Sequence, residues 1–180
     1  MRILTLSPEW TLVLDLAAWL FFHLGIGFTL SQIPVAWFHT ESRLYRTHAW
    51  EKGGEVYDQW LRVKFWKRWI PRGSMLYPNT FSLQHIENYS VAYLERYLAE
   101  TCRAEVCHWL MVFPGFLFFL WNSGQVGWLM VGYAVLNNLI PIALQRYNRP
   151  RVRRLLAAAR QRDAEKVLRS TALAPQPVNF

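Results

Sequence analysis

Residues 106–144 read VCHWLMVFPGFLFFLWNSGQVGWLMVGYAVLNNLIPIAL. Two apolar stretches, Val106–Trp121 and Val126–Leu144, flank the turn formers Asn122, Ser123 and Gly124. No Asp, Glu, Lys or Arg interrupts either stretch. At a rise of about 1.5 Å per residue the second is long enough for a bilayer's hydrocarbon core. The first is short for a span and carries Pro114 and Gly115, so it starts further back at Arg103, kinks at Pro114, or sits in a thinned bilayer. Together they read as a helical hairpin.

A further apolar run, Thr11–Leu30, lies upstream, interrupted by Asp15 and His23. Gly25 and Gly27 let another helix approach, Ser31, Gln32 and Pro34 end the run, and Trp37 and Phe38 suit a membrane interface. The expected fold is an all-α integral membrane protein with about three transmembrane helices and a cytoplasmic, amphipathic, Trp-rich interfacial segment. The 180 residues form a single membrane domain. It divides into a first span at 11–38, an interfacial segment at 39–105, the hairpin at 106–144 and a basic tail at 145–180.

Composition agrees. Hydrophobic residues make up 53%, above the roughly 45–50% usual for soluble domains, which excludes a disordered chain. Net charge is +8 and is concentrated in the tail. There Arg146, Arg149, Arg151, Arg153, Arg154, Arg160, Arg162, Lys166 and Arg169 face only Asp163 and Glu165. No nucleic-acid-binding motif accompanies these cations, and they directly follow an apolar run. They therefore read as a cytoplasmic membrane flank, not a nucleic-acid site. The hairpin puts residues 39–105 and the tail on one side, both rich in Lys and Arg. The positive-inside rule then places them in the cytoplasm and the N-terminus outside, in a multi-pass protein of the bacterial cell membrane. The N-terminal run is too long for a signal peptide and lacks a small-x-small cleavage site. Cys102 and Cys107 fit no zinc or redox spacing and read as reduced and structural.

Residues 54–69 read as an amphipathic helix with Val56, Trp60, Val63 and Lys67 on one stripe. Pro71, Gly73 and Pro78 break the chain after it. Asn88, Tyr89 and Ser90 offer a cap for a helix starting near Val91. On that helix Val91, Leu94, Leu98, Thr101, Glu105, His108 and Val112 share a face, so an apolar stripe leads into polar groups on the inward side.

Glu105 and His108, three apart on that face, are the first candidates for chemistry. A carboxylate beside an imidazole fixes its tautomer and raises its basicity, as a general base requires. The same spacing also serves a structural pair capping the helix. A metal centre is disfavoured, because Glu-x-x-His occurs once and di-iron bundles need two copies plus two further Glu. In Gln145-Arg146-Tyr147-Asn148-Arg149-Pro150-Arg151, Pro150 is expected to stop the helix, and the arginines suit either a phosphate clamp or anchoring to anionic headgroups. Asp15 and His23 are expected to turn inward towards Asn137 or Asn138.

Four strings carry a family resemblance: Trp50-Glu51-Lys52-Gly53-Gly54, Trp66-Lys67, Glu100-Thr101-Cys102-Arg103-Ala104-Glu105-Val106-Cys107-His108-Trp109, and the Gln145–Arg151 string. Together, across roughly residues 45–155, they resemble the glycosyl-4,4'-diaponeurosporenoate acyltransferases of staphyloxanthin-type carotenoid-glucoside ester biosynthesis. Asn79 and His85 also fit the pattern. The resemblance implies a membrane acyltransferase that esterifies the glucose 6-hydroxyl of a carotenoid glycoside with a fatty acyl chain. It implies no bound cofactor, and an acyl-CoA or acyl-carrier protein as co-substrate.

By the same carry-over, His108, Glu105, His85 and Arg103 become catalytic candidates. Glu51, Trp66, Lys67, Asn79, Gln145, Arg146, Asn148 and Arg149 become substrate-binding candidates, with no metal site. In that scheme His108 takes the sugar proton, Glu105 orients it, and His85 is the rival base. Arg103, Asn79 or Asn148 meets the oxyanion, and Arg146 and Arg149 hold donor phosphates. Expected partners are membrane lipids, the glycoside and the acyl donor, with no nucleic acid; a homo-oligomer or pathway complex stays open. The alternative is a non-catalytic membrane scaffold that binds pigment or pathway enzymes, and a small transporter is a third reading. Three spans leave a transporter little room for a polar route.

Overall fold

The computed structural model describes residues 2–69, 81–83 and 85–172. Among them the fold is helical. Three helices, Pro8–Gln32, Val91–Leu120 and Gly124–Ala172, are long and apolar enough to cross a membrane. The first, α1 (Pro8–Gln32), starts with Pro8 at a first-turn position, where its missing N–H costs nothing. It ends where Ile33 turns extended before Pro34. Short 3₁₀ turns at Val35–Trp37, Arg43–Tyr45 and Ala49–Gly54 lead to α2 (Glu55–Leu61) and α3 (Val63–Trp66). Next come α4 (Val91–Val112), a 3₁₀ stretch at Phe113–Leu120 and α5 (Gly124–Ala172).

Antiparallel packing of α4 on α5 forms the spine. Leu94, Tyr97 and Leu98 meet Val152, Leu156 and Ala159 in a buried apolar cluster. This is the Leu94–Leu98–Thr101–Glu105 face foreseen from helical spacing. Ser90 caps α4, its hydroxyl accepting from the Tyr93 N–H, also as expected. At Phe113 the α-helix tightens into the 3₁₀ stretch, with Pro114 at its start. Gly115 lets this stretch close on α5, since a Cβ there would sit 3.0 Å from the Ala134 methyl.

Helix α1 lies beside α4, with Leu30 clustering with Phe38, Tyr45 and Cys102. Its N-terminal half is pinned to the hairpin turn. The buried Asp15 carboxylate accepts from Trp121 Nε1 and Asn122 Nδ2, both at 2.7 Å. The chain start and the hairpin turn thus share one end of the bundle. Asp15 was expected to meet Asn137 or Asn138. Instead it lies level with the turn, about two helical turns from His23, and the turn's unpaired donors claim it. His23 does reach Asn137, with 3.5 Å between Nε2 and Nδ2.

Two helix expectations need correction. Residues 54–69 are not one helix, because Arg62 adopts a left-handed conformation (φ +48°) that separates α2 from α3. The supposed stripe splits accordingly, with Val63 buried and Trp60 exposed. Pro150 does not stop α5, which continues through Pro141 and Pro150 to Ala172. Packing against α4 on both sides of Pro150 holds the helix together despite the lost N–H. The breaks expected at Pro71, Gly73 and Pro78 lie outside the described residues.

Exposed apolar side chains form a band on the three long helices: Leu16, Leu20 and Phe28 on α1, Phe113 and Phe116 after α4, and Trp128, Leu136 and Ile140 on α5. Trp50, Trp60, Phe65 and Trp69 are also exposed, on the connecting segment.

Candidate active site

Four charged side chains from three segments meet where the connecting segment packs on the α4–α5 pair. Arg149 Nη2 lies 2.6 Å from Glu105 Oε2, and Arg146 Nε lies 2.8 Å from Glu105 Oε1. Arg146 Nη1 reaches Glu51 Oε1 at 2.9 Å. Helical spacing aligns the α4 and α5 members. Glu51 arrives by a different device. Lys52, Gly53 and Gly54 follow it with φ of +47°, +63° and +89°, a run of left-handed backbone that folds the segment onto α5. A Cβ on Gly54 would stand 3.0 Å from the Tyr147 carbonyl oxygen, so only glycine fits there.

The remaining donors are also committed. Arg146 Nη2 donates to the Leu44 carbonyl. Arg149 donates to Thr101 Oγ1, the Thr101 carbonyl and the Tyr45 carbonyl. Glu51 accepts from Tyr57 OH at 2.6 Å and from the His48 N–H at 2.8 Å. Burial raises the Glu51 carboxyl, but the hydrogen bonds from Tyr57, Arg146 and His48 outweigh it, so its pKa falls below the ordinary value. Burial and the Glu51 hydrogen bond push the Tyr57 phenol well up. Two carboxylates against two guanidiniums leave the cluster neutral in sum.

The geometry departs from two mechanistic expectations. The arginines, expected as a phosphate clamp, are engaged here by protein groups, every guanidinium nitrogen of Arg146 and Arg149 meeting at least one protein acceptor. Glu105 does not orient His108 either, since both its oxygens are taken by arginine.

His108 instead meets α5 deeper in the helix pair. Its Nδ1 lies 2.9 Å from Asn138 Oδ1. The Asn138 amide nitrogen donates to the Ala134 carbonyl at 2.8 Å, so the amide turns its oxygen to the imidazole. The imidazole must then carry a proton on Nδ1, and in its neutral form Nε2 holds the lone pair. A neutral imidazole held by a neutral amide is equipped to accept a proton. His23 is set similarly, its Nδ1 donating to the Trp19 carbonyl at 2.8 Å, and it meets α5 at the adjacent residue, Asn137.

The other candidates scatter. Gln145 is buried on α5 between Asn138 and Arg149, and its Oε1 has no partner among the described residues. Asn148 is half-buried on the same helix. Lys67 stands over the Tyr147 ring at 5.6 Å, and the Trp66 indole donates to the Leu61 carbonyl. Arg103 pairs with Glu100 at 2.5 Å, in a cleft of about 220 Å³ that Ser31, Gln32, Arg96 and Phe81 also line. His85 sits exposed before α4, its carbonyl 3.5 Å from Tyr93 OH, so it belongs to the far end of that helix, about 20 Å from His108 by rise per residue. Asn79 lies outside the described residues. Sequence reasoning missed Thr101, Tyr45 and Tyr57 as members of the charged cluster and Asn138 as the imidazole's partner. The one available signal for Asn138 was its place seven residues before Gln145, on the same α5 face.

A family model described as glycosyl-4,4'-diaponeurosporenoate acyltransferase matches residues 41–158, which contain the charged cluster, His108 and Asn138. Proteins of that name from Staphylococcus aureus strains MRSA252, N315 and USA300 are each 32% identical over 146 residues, covering 80% of this chain and 87% of each relative. No solved structure matches.

Proposed function

The chain belongs to the glycosyl-4,4'-diaponeurosporenoate acyltransferase family and is an acyltransferase, and from that premise we propose that it esterifies a sugar hydroxyl of a membrane-borne carotenoid glycoside with a fatty acyl chain. The observation that carries this reading is the His108–Asn138 pair. It supplies an oriented neutral base in the half of the helix pair where the apolar band is exposed. A carotenoid and an acyl chain both partition into lipid, while the sugar and the donor's thioester sit near the headgroups. The site belongs where these meet.

The transfer proceeds as follows. His108 Nε2 takes the proton of the sugar hydroxyl as its oxygen attacks the thioester carbonyl. The C–O bond forms, the tetrahedral intermediate collapses, and the C–S bond breaks. The proton passes from His108 to the departing sulfur, leaving ester and free thiol. Gln145, buried nearby on the same α5 face, presents an amide to the reacting groups. The Glu51–Arg146–Glu105–Arg149 cluster fixes the register of α4, α5 and the connecting segment, and so holds His108 in place. In this reading the protein sits in the bacterial cell membrane with three spans, its N-terminus outside and the α5 C-terminus in the cytoplasm, an orientation supported by the basic residues of the connecting segment and tail.

The test is transfer by purified protein in detergent, supplied with an acyl thioester and a carotenoid glucoside and read by mass spectrometry. Wild type should add one acyl mass, and His108→Ala should lose at least ~10²-fold in rate while eluting as a folded monodisperse species. Near-normal turnover by that variant sinks the assignment.

A further inference from the structure

Beyond the apolar band α5 continues as a stalk whose charge is arranged on one side. Arg151, Arg154, Ala158, Arg162, Lys166 and Arg169 follow each other at spacings of three and four, which puts them on one helical stripe. The carboxylates of this stretch of α5 are Asp163 and Glu165. The opposite side is spoken for, with Arg149 buried in the charged cluster and Arg160 paired with Glu95 of α4 at 2.8 Å. On the stripe, Arg162 gives one nitrogen to the Tyr89 carbonyl, Lys166 lies 3.9 Å from Asp163, and Arg151 stacks over the Tyr147 ring. The Arg162, Lys166 and Arg169 side chains remain exposed.

Two lengths decide what such a stripe can meet. From Leu144, the last residue of the apolar run, Arg162 and Arg169 lie about 27 and 37 Å along the helix axis at 1.5 Å per residue. The Leu94–Tyr97–Leu98 contact with Val152, Leu156 and Ala159, and the Arg160–Glu95 pair, keep α5 along α4 past the apolar run, and the helix continues to Ala172. Attraction to headgroups fades over a screening length of about 8–10 Å, which leaves the distal cations out of reach of lipid. The stripe itself, from Arg151 to Arg169, is about 27 Å long. That is far too extended for one coenzyme A molecule's phosphates, and it suits the acidic helix of a folded protein.

Resting on the acyl-transfer reading, we propose that this stripe docks an acidic acyl-carrier protein, which delivers the acyl thioester to the site. The axial gap from Arg151 to Asn138 is about 20 Å, a distance that an extended phosphopantetheine arm covers. Docking by charge at the stalk leaves the arm free to enter along α5 towards His108.

The experiment uses the full chain in nanodiscs of neutral phosphatidylcholine, as wild type and as Arg162→Glu/Lys166→Glu/Arg169→Glu. Each is assayed with palmitoyl-carrier protein and with palmitoyl-CoA, and binding of the carrier protein alone is followed by interferometry. The proposal expects the variant's KM for the carrier-borne donor to rise about tenfold or more, with the CoA-borne donor unchanged. Carrier binding should be lost in the variant, and lost from wild type as ionic strength rises from about 0.05 to 0.3 M. Equal effects on both donors, or failure of wild type to bind the carrier, overturn it. So does a stripe-dependent response to added anionic lipid, which would make the stalk a membrane contact. Transfer from CoA alone would reject the carrier while keeping the enzyme. Absence of transfer from either donor counts against the proposed function, and the binding measurement still decides the docking.

Discussion

Arg149 and Glu105 form an ion pair at 2.6 Å with both side chains 1% exposed. Their environment excludes water on every side, so neither charge has an alternative partner in solvent. Removing Glu105 leaves Arg149 buried without a carboxylate, a change that typically costs about 3–5 kcal/mol, whereas removing Arg149 leaves Glu105 with Arg146 at 2.8 Å. Glu105→Ala should therefore lower the unfolding midpoint sharply in detergent, and Arg149→Ala should lower it less. The double variant should be less damaged than the two losses summed, because it strands no charge. Strict additivity in a thermal-shift series would contradict the pairing.

Gly54 is tested by its backbone. Its φ of +89° and the 3.0 Å approach of the Tyr147 oxygen to a built Cβ exclude any side chain without a shift. Gly54→Ala should destabilise by about 1–2 kcal/mol from the left-handed conformation alone, with the clash in addition. Gly25→Ala, in a helix with open space around the position, is the control and should be neutral or slightly stabilising. Chemical unfolding of the two variants side by side separates them.

Much of this architecture was legible because helical periodicity and apolar length are local signals. The α4 face from Leu94 to Glu105, the Ser90 cap and the turn at Asn122–Gly124 all follow from spacing and residue type. What escaped were long-range pairings. Glu105 and His108 are one turn apart, so proximity in sequence suggested a dyad. Tertiary packing set Arg146 and Arg149 against the first and Asn138 against the second. Glu51 entered the cluster through the left-handed run at Lys52–Gly54, whose direction no periodicity announces. Pro150 misled for a similar reason, since its local cost was overridden by the α4 contact on either side.

The pH dependence of stability should carry the mark of Glu51. Its folded pKa is depressed, because hydrogen bonds and the Arg146 charge outweigh burial. A depressed carboxylate binds fewer protons folded than unfolded. Its stabilising contribution is therefore fully present above the unfolded carboxylate pKa of about 4.3, and it disappears as pH falls through the lower folded value. As pH falls below about 4.3, wild type should lose stability more steeply than Glu51→Gln. Parallel midpoint-against-pH curves would show that Glu51 is not held ionised by the cluster.

Asn138 offers the sharpest probe of the site because it acts on His108 without touching substrate in the proposed scheme. Its oxygen accepts the Nδ1 proton at 2.9 Å, and its nitrogen is tied to Ala134. Asn138→Ala frees the imidazole to rotate and to take the other tautomer, so kcat should fall by about 10²-fold, near the lower end of what a positioned general base supplies. KM for glycoside and donor should stay within about a factor of two, since no binding contact is lost in either ground state. Asn138→Asp preserves an acceptor for Nδ1–H and should retain more activity than alanine. If alanine and aspartate are equally impaired, or if KM carries the loss, the residue shapes a binding surface instead and the base must be sought elsewhere.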